Sequence, residues 1–214
     1  MALASVSVYG IATTQAYAAQ PTDYTKYVNP FIGNADNGHT FPGACLPFGM
    51  IQTSPVTGGV GWRYCSEYVY NDSIIWGFTQ DHLNGTGCMD LGDILVMPAT
   101  GRRTRQWDGY RSRYAKGQEI ATPGYYSVYL TDAKAKAELT ATPHVAFHRY
   151  TFDSADSTSV LIDLQHGPSW NDKQYHSQVN LCETHWEDAQ TLVGHVQNTV
   201  WVKQDYFFVV KFNR

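Results

Sequence analysis

The chain has 214 residues, of which 43% are hydrophobic and 16% are charged, a composition typical of a folded domain rather than a disordered chain. The formal net charge of −4 argues against a general electrostatic grip on nucleic acid, which requires a basic surface. No apolar run approaches the roughly 20 residues that cross a bilayer. We therefore predict no nucleic-acid partner and no membrane span.

Residues 1–20 have the character of an export leader. They are small and largely apolar, and they end close to Ala16-Tyr17-Ala18, the A-x-A pattern of signal-peptidase cleavage. The basic residues that usually begin a signal peptide are missing, so a disordered leader is the alternative. We predict a signal-peptide-like leader at 1–20, a folded domain at 21–214, and a periplasmic or extracellular location.

The region from Asn29 to Gly61 is dense in glycine and proline, which indicates turns and loops. A loop region of this length in a compact domain is usually functional. His39 lies within it beside Asp36 and Asn37, where bare glycines let a backbone approach a ligand closely. A purely structural turn is the alternative.

Trp62 follows this region between Gly61 and Arg63, outside any alternating strand pattern. A tryptophan on a loop is a suitable platform for the apolar face of a sugar ring. Packing in a core is the alternative, because aromatic side chains fill cores as well.

The segment from Asp81 to Asp93 places three aspartates, a histidine and three glycines in thirteen positions between two apolar runs. Asp90 and Asp93 suit the acid and base of a glycosidase. Their oxygens also suit calcium, although the twelve-residue EF-hand pattern is absent. The third interpretation is that the glycines turn the chain while the aspartates cap backbone N–H groups. The residues alone leave all three open.

The second half of the chain is predicted as strands, because alternating, β-branched or aromatic runs are bounded by turn residues. The predicted strands are Tyr125–Leu130, Lys136–Ala141, Val145–Phe152, Val160–Leu164, Thr191–Val196 and Tyr206–Phe212. Short strands with turn signals between them favour an all-β fold, a large antiparallel β-sandwich. The last run would leave an unpaired apolar edge, so we expect the sandwich to be truncated at its C-terminal end.

The four cysteines at 45, 65, 88 and 182 lack the spacing of a zinc site. In an exported protein they could pair into disulfides, with three possible connectivities. We favour buried thiols in a domain of this size.

Several of these stretches, in one order, resemble the start of the glycoside hydrolase family 92 α-mannosidases. The stretches are Tyr27–Gly33, Gly38–Ala44, Pro47–Met50, Gly61–Trp62, Ser73–Phe78 and His82–Asp93. The resemblance is dense from Tyr27 to Pro98 and looser, by strand pattern, to the end of the chain.

The resemblance implies an exported, exo-acting enzyme that removes mannose from α-mannosides such as N-glycans, inverts the anomeric configuration and requires calcium. It implies an N-terminal β-sandwich followed by an (α/α)6 catalytic barrel that carries the glutamate acid and the aspartate base. No catalytic residue is then expected in this chain, and its metal ligands stay unassigned.

On this interpretation the chain packs on the barrel and shapes the substrate pocket. The predicted substrate-binding residues are Trp62, Asp90, His39 and His82. Asn34 and the pair Gln80-Asp81 depart from the family pattern and leave the subsite preference open. The alternative function is a stand-alone carbohydrate-binding module without hydrolase activity.

Overall fold

The computed structural model describes residues 22–85, 87–101, 107–169 and 178–213. The predicted leader at 1–20 lies outside the described residues and stays a prediction. Within the described ranges, no helix has the length and apolar character needed to cross a bilayer.

Most of the regular structure is β-strand, joined by loops and short helical turns. In chain order, the strands are β1 (Ala44–Cys45), β2 (Gln52–Val56), β3 (Ile74–Ile75), β4 (Gly77–Thr79), β5 (Leu95–Thr100), β6 (Ser112–Arg113), β7 (Ile120–Thr122), β8 (Tyr125–Leu130), β9 (Ala135–Ala141), β10 (Ala146–Phe152), β11 (Thr158–Asp163), β12 (Gln178–Trp186), β13 (Thr191–Thr199) and β14 (Lys203–Lys211). The helix α1 covers Trp107–Tyr110, and 3₁₀ turns cover Thr25–Tyr27, Trp62–Tyr64 and Lys116–Gln118.

The core lies between two antiparallel sheets, which confirms the predicted all-β sandwich. A five-stranded sheet, in the order β1-β2-β4-β5-β11, faces a four-stranded sheet in the order β10-β9-β8-β7. The ring centroids of Phe78 on β4 and Tyr126 on β8 lie 6.4 Å apart across this core. Burying a side chain of this size stabilises the fold by about 1.5–3 kcal/mol.

The residue pattern of β9 explains how one face of a strand enters this core. Ala135, Ala137 and Leu139 are buried, whereas Lys136 and Thr140 point to solvent, which is the two-residue period of a half-buried strand. The small alanines leave room for the aromatic rings of the neighbouring strands.

A third sheet, in the order β12-β13-β14, stands beside the sandwich. Val196 and Asn198 of β13 are buried, whereas Phe207 and Val209 of β14 are exposed. The buried face of this sheet contacts the loop between β4 and β5, which is the Asp81–Asp93 segment. The predicted functional segment is therefore held between two sheets.

The expectation of buried thiols is only partly correct. Cys65 is buried, and Cys45 and Cys88 are half-buried, but Cys182 is exposed. Cys182 belongs to β12, an edge strand of the third sheet, where one side of the strand has no neighbouring strand to cover it.

Candidate functional site

Trp62 lies at the start of a 3₁₀ turn on the surface, in the loop between β2 and β3. Gly61 precedes it with a φ of 84°, a conformation that glycine adopts without strain. Half of the Trp62 side chain is exposed (50%), so the ring does not belong to the core. This placement favours the platform interpretation over core packing.

His39 and Gly87 form the surroundings of this ring. The His39 ring meets Trp62 edge to face, with centroids 4.9 Å apart. At Gly87, whose φ is +64°, an added Cβ would lie 2.6 Å from Cη2 of Trp62, so the ring rests directly on the glycine backbone. The Nε2 atom of His39 is buried and has no hydrogen-bond partner among the described residues. We call Trp62, His39 and Gly87 the aromatic wall.

His82 lies in the interior rather than on the surface. It is 2% exposed, and its Nδ1 atom is 2.8 Å from the backbone oxygen of Gln52. Its ring packs against Phe41, with centroids 4.9 Å apart. Burial lowers the pKa of His82, and the charge of Glu67 opposes that shift. Its predicted contact with sugar stays a prediction.

Glu67 is the functional candidate that the sequence analysis missed. It is 2% exposed, with Oε1 2.7 Å from Nε2 of His166 and Oε2 3.5 Å from Nε2 of His82. The Thr79 hydroxyl donates to Oε2 over 2.9 Å. Because His166 is 99 positions away in the sequence, no local pattern could have revealed the pair.

Asp81 and Asp93 form a buried carboxyl pair at the two ends of the predicted segment. Oδ1 of Asp81 accepts the backbone N–H groups of Gly92 (3.1 Å) and Asp93 (2.7 Å). Burial raises the pKa of Asp81 to about 6, against the effect of those N–H groups. Burial and then the charge of Asp81 raise the pKa of Asp93 well above its ordinary value.

Asp90 is occupied by structural contacts. Its Oδ1 accepts the N–H of Leu91 over 3.1 Å and the side-chain amide of Gln204 over 3.0 Å. Backbone N–H groups of Trp201 and Val202 also hydrogen-bond to this carboxylate. Asp90 therefore fastens the turn between β13 and β14 to the β4–β5 loop, and its predicted contact with substrate stays a prediction.

Within the described ranges, no group of three or more histidine, cysteine, aspartate or glutamate side chains is arranged to hold a metal ion. Instead, the carboxylates of the β4–β5 loop accept hydrogen bonds from backbone and amide N–H groups. Of the interpretations left open for Asp81–Asp93, the capping of backbone groups is the one that these contacts match.

The comparisons with known proteins agree with one another. The family model "Glycosyl hydrolase family 92 N-terminal domain" matches residues 27–214. A solved family GH92 α-mannosidase from Bacteroides thetaiotaomicron is 34% identical, with a TM-score of 0.82 over 89% of this chain and 26% of its own. The same enzyme was solved in complex with mannoimidazole, with a TM-score of 0.81.

More distant relatives extend this similarity. A protein described as an uncharacterized secreted glycosidase, from Arthroderma benhamiae, is 28% identical over 75% of this chain and 22% of its own length. An inverting mannosidase from B. thetaiotaomicron shares the fold at 23% identity, with a TM-score of 0.66 over 83% of this chain and 23% of its own.

The chain thus spans about a quarter of the length of these relatives. The family model covers nearly all of the residues that the structure describes. The chain belongs to glycosyl hydrolase family 92 and matches its N-terminal domain.

Proposed function

We propose that this chain is the N-terminal domain of an exported, calcium-dependent exo-α-mannosidase that inverts the anomeric configuration. In this proposal it packs on a catalytic barrel and supplies one side of the pocket for α-mannosides such as N-glycan mannose. The observation that carries the proposal is the aromatic wall, where a half-exposed tryptophan lies beside a buried imidazole nitrogen that has no partner among the described residues.

The chemistry of the wall suits a sugar. The C–H face of a pyranose packs on an indole ring, which supplies a large apolar contact with little loss of side-chain freedom. Nε2 of His39 then donates to or accepts from a hydroxyl group, which relieves the cost of a buried polar atom without a partner. The chain's own residues therefore bind and orient the substrate.

In this proposal, the residues that cleave the bond and bind the calcium ion lie outside this chain. They belong to the part of the full-length enzyme that corresponds to the relatives' sequence beyond the matched N-terminal domain. An inverting glycosidase places an acid and a base about 6.5–9.5 Å apart, with room for a water molecule between them. Asp81 and Asp93 are unsuited to that task, because both are buried and Asp81 accepts hydrogen bonds from the loop backbone.

The test is calorimetric titration of the chain with methyl α-mannoside. We expect weak binding that Trp62→Ala abolishes, whereas the control Trp186→Ala leaves binding unchanged, because Trp186 is similarly exposed (59%) but lies on β12. The chain alone should release no mannose from an α-mannoside, and joining it to a family barrel should restore release. Robust calcium-dependent release by the 214 residues alone would overturn the proposal.

A stand-alone carbohydrate-binding module is the second candidate, favoured by the exposure of Trp62 without any contribution from a barrel. It predicts that the affinity for mannoside is the same with and without a barrel. The mannosidase proposal predicts tighter binding when the pocket is complete.

A further inference from the structure

Glu67 combines two unfavourable features. Its φ is +59°, in the left-handed region that favours glycine, and its carboxylate is almost completely removed from water. Strained conformations of this kind persist where the surrounding structure holds them, and they cluster at functional sites. The contacts of Glu67 with the surrounding segments hold it in this conformation.

The backbone of Glu67 closes the loop that carries Trp62. Its oxygen accepts the N–H groups of Thr57 (2.8 Å) and Gly58 (3.2 Å), and its own N–H donates to Tyr64 (2.9 Å). These bonds join the two ends of the Trp62 loop. The positive φ then turns the Glu67 side chain into the interior.

The carboxylate of Glu67 reaches two other segments. It meets Nε2 of His166 at 2.7 Å, and it presses on Gly92, where an added Cβ would lie 2.5 Å from the carboxylate carbon. Gly92 has a φ of +83°, so a side chain at that position would be strained as well. The Trp62 loop is thus fastened from below to the loop that carries Gly87, the residue on which the Trp62 ring rests.

Thr79 links Glu67 to the protonation state of His82. Nδ1 of His82 faces a backbone oxygen, which only accepts, so this nitrogen carries a proton. The single Thr79 proton lies between Oε2 of Glu67 (2.9 Å) and Nε2 of His82 (3.1 Å). When His82 gains a second proton, it donates to Thr79 while Thr79 donates to Glu67, and the polar atoms of this relay are all satisfied.

We propose that Glu67 is a positioning residue that holds the aromatic wall in place by linking the Trp62 loop to His82, His166 and Gly92. Its effect on mannoside binding rests on the function proposed above, whereas its effect on Trp62 and His82 does not. The titratable groups that face it are His82 and His166, and its charge also raises the pKa values of Asp81 and Asp93.

The experiment compares Glu67→Gln and Glu67→Gly with the original chain by NMR and by calorimetry. Glu67→Gln keeps the shape and removes the charge, whereas Glu67→Gly removes the carboxylate and relieves the backbone. Glu138→Gln is the matched control, because Glu138 is a low-exposure carboxylate that pairs with Arg149 on the outer side of the four-stranded sheet. Trp62→Phe identifies the indole N–H resonance of Trp62.

We expect both Glu67 variants to move the Trp62 indole resonance and to weaken methyl α-mannoside binding several-fold, while Glu138→Gln does neither. Glu67→Gln should also lower the pKa of His82, because it removes the opposing carboxylate. If the original chain binds no mannoside, the proposed function fails. The Trp62 and His82 resonances still test the role of Glu67 in that case. Unchanged Trp62 and His82 resonances in both Glu67 variants would overturn the inference.

Discussion

Two buried carboxylates in this fold have opposite surroundings. Glu119, whose side chain is 1% exposed, accepts hydrogen bonds from the hydroxyl groups of Tyr68 (2.8 Å) and Tyr126 (2.6 Å). Nζ of Lys116 donates to the other carboxylate oxygen, Oε2, over 3.0 Å. The same ammonium group lies 4.4 Å from the ring centroid of Tyr70. Each oxygen of Glu119 therefore has a donor, and the charge has a counter-ion.

Asp93 is as deeply buried but much less well satisfied. Asn198 donates to its Oδ1, yet Oδ2 has no partner within the part of the chain that the structure describes, and neither has Oδ1 of Asn198. The nearest charges are those of Asp81, Glu67 and Asp90, all of the same sign, and they raise the pKa of Asp93 further.

The contacts of Glu119 stabilise the fold, whereas the burial of Asp93 among like charges lowers its stability. Glu119 lies between the helical turn after β6 and the four-stranded sheet. Asp93 belongs to the loop that forms the base of that wall. Unfavourable charge burial concentrates at functional sites because the geometry there serves binding rather than stability.

Glu119→Ala should cause the largest loss of stability. It leaves two buried hydroxyl groups and an ammonium group without their acceptor, and we expect the free energy of unfolding to fall by about 3 kcal/mol. This is the lower end for a broken buried ion pair, because the Lys116 side chain is 31% exposed. Urea denaturation measures the change. Glu119→Gln keeps one acceptor and should lose less, and equal losses for the two variants would show that packing rather than hydrogen bonding dominates.

Asp93→Asn should have the opposite effect and stabilise the protein by about 2 kcal/mol at pH 8. An asparagine side chain accepts from Asn198 through its oxygen and donates through its NH₂ group, as a protonated aspartic acid would. The substitution also removes one of the like charges that surround Asp81.

The stabilisation by Asp93→Asn should depend on pH. The folded-state pKa of Asp93 is raised by burial, so the folded protein binds this proton more tightly than the unfolded chain does. The contribution to stability is therefore fully present below the unfolded value near 3.8 and is lost as the pH rises toward the raised folded value. Asp81, with a pKa of about 6, acts in the same direction.

The gain from Asp93→Asn should accordingly vanish near pH 4 in unfolding experiments. Asp188→Asn is the control of opposite sign, because the backbone N–H of Gln190 lowers the pKa of Asp188, so its contribution is lost as the pH falls. A gain for Asp93→Asn that does not depend on pH would contradict the buried-charge explanation.

The sequence could predict the strands of the four-stranded sheet because their period is local. Tyr125–Leu130 was predicted with its observed bounds, and the β9 and β10 predictions differ from the observed strands by one residue at the N-terminal end. β12 was missed, and β2 lies inside a region predicted as loop, because its residues Thr53, Ser54 and Pro55 lack an apolar alternation. The pairing of such a strand is decided by its neighbours rather than by its own side chains.

The candidate site was predictable only where a single residue is informative by its position. Trp62 was informative because a tryptophan between a glycine and an arginine does not fit a strand. Asp90 was not, because its hydrogen-bond partner Gln204 is 114 positions away in the sequence; its predicted contact with substrate stays a prediction. Contacts between residues so far apart in the sequence form only in the folded chain, so a local sequence pattern does not predict them.

The smallest expected effect separates backbone strain from contact with the Trp62 ring at the base of the aromatic wall. Gly85 and Gly87 have similar φ values, +70° and +64°, but an added Cβ at Gly85 meets nothing within 4 Å, whereas at Gly87 it would strike Trp62. Gly85→Ala should cost about 1 kcal/mol from backbone strain alone. Gly87→Ala should cost about 1 kcal/mol more and should also shift the fluorescence of Trp62, because the ring has to move.

Thermal unfolding and tryptophan emission on the two variants measure this difference, with Trp62→Phe identifying the emission that belongs to residue 62. A Gly87→Ala variant that loses no more stability than Gly85→Ala, with unchanged emission, would mean that the Trp62 ring does not rest on this backbone. The wall would then be set by Glu67 and His39 rather than by the glycine. Because the two glycines share one loop, a general loosening of that loop would affect both variants equally and could not produce the expected difference.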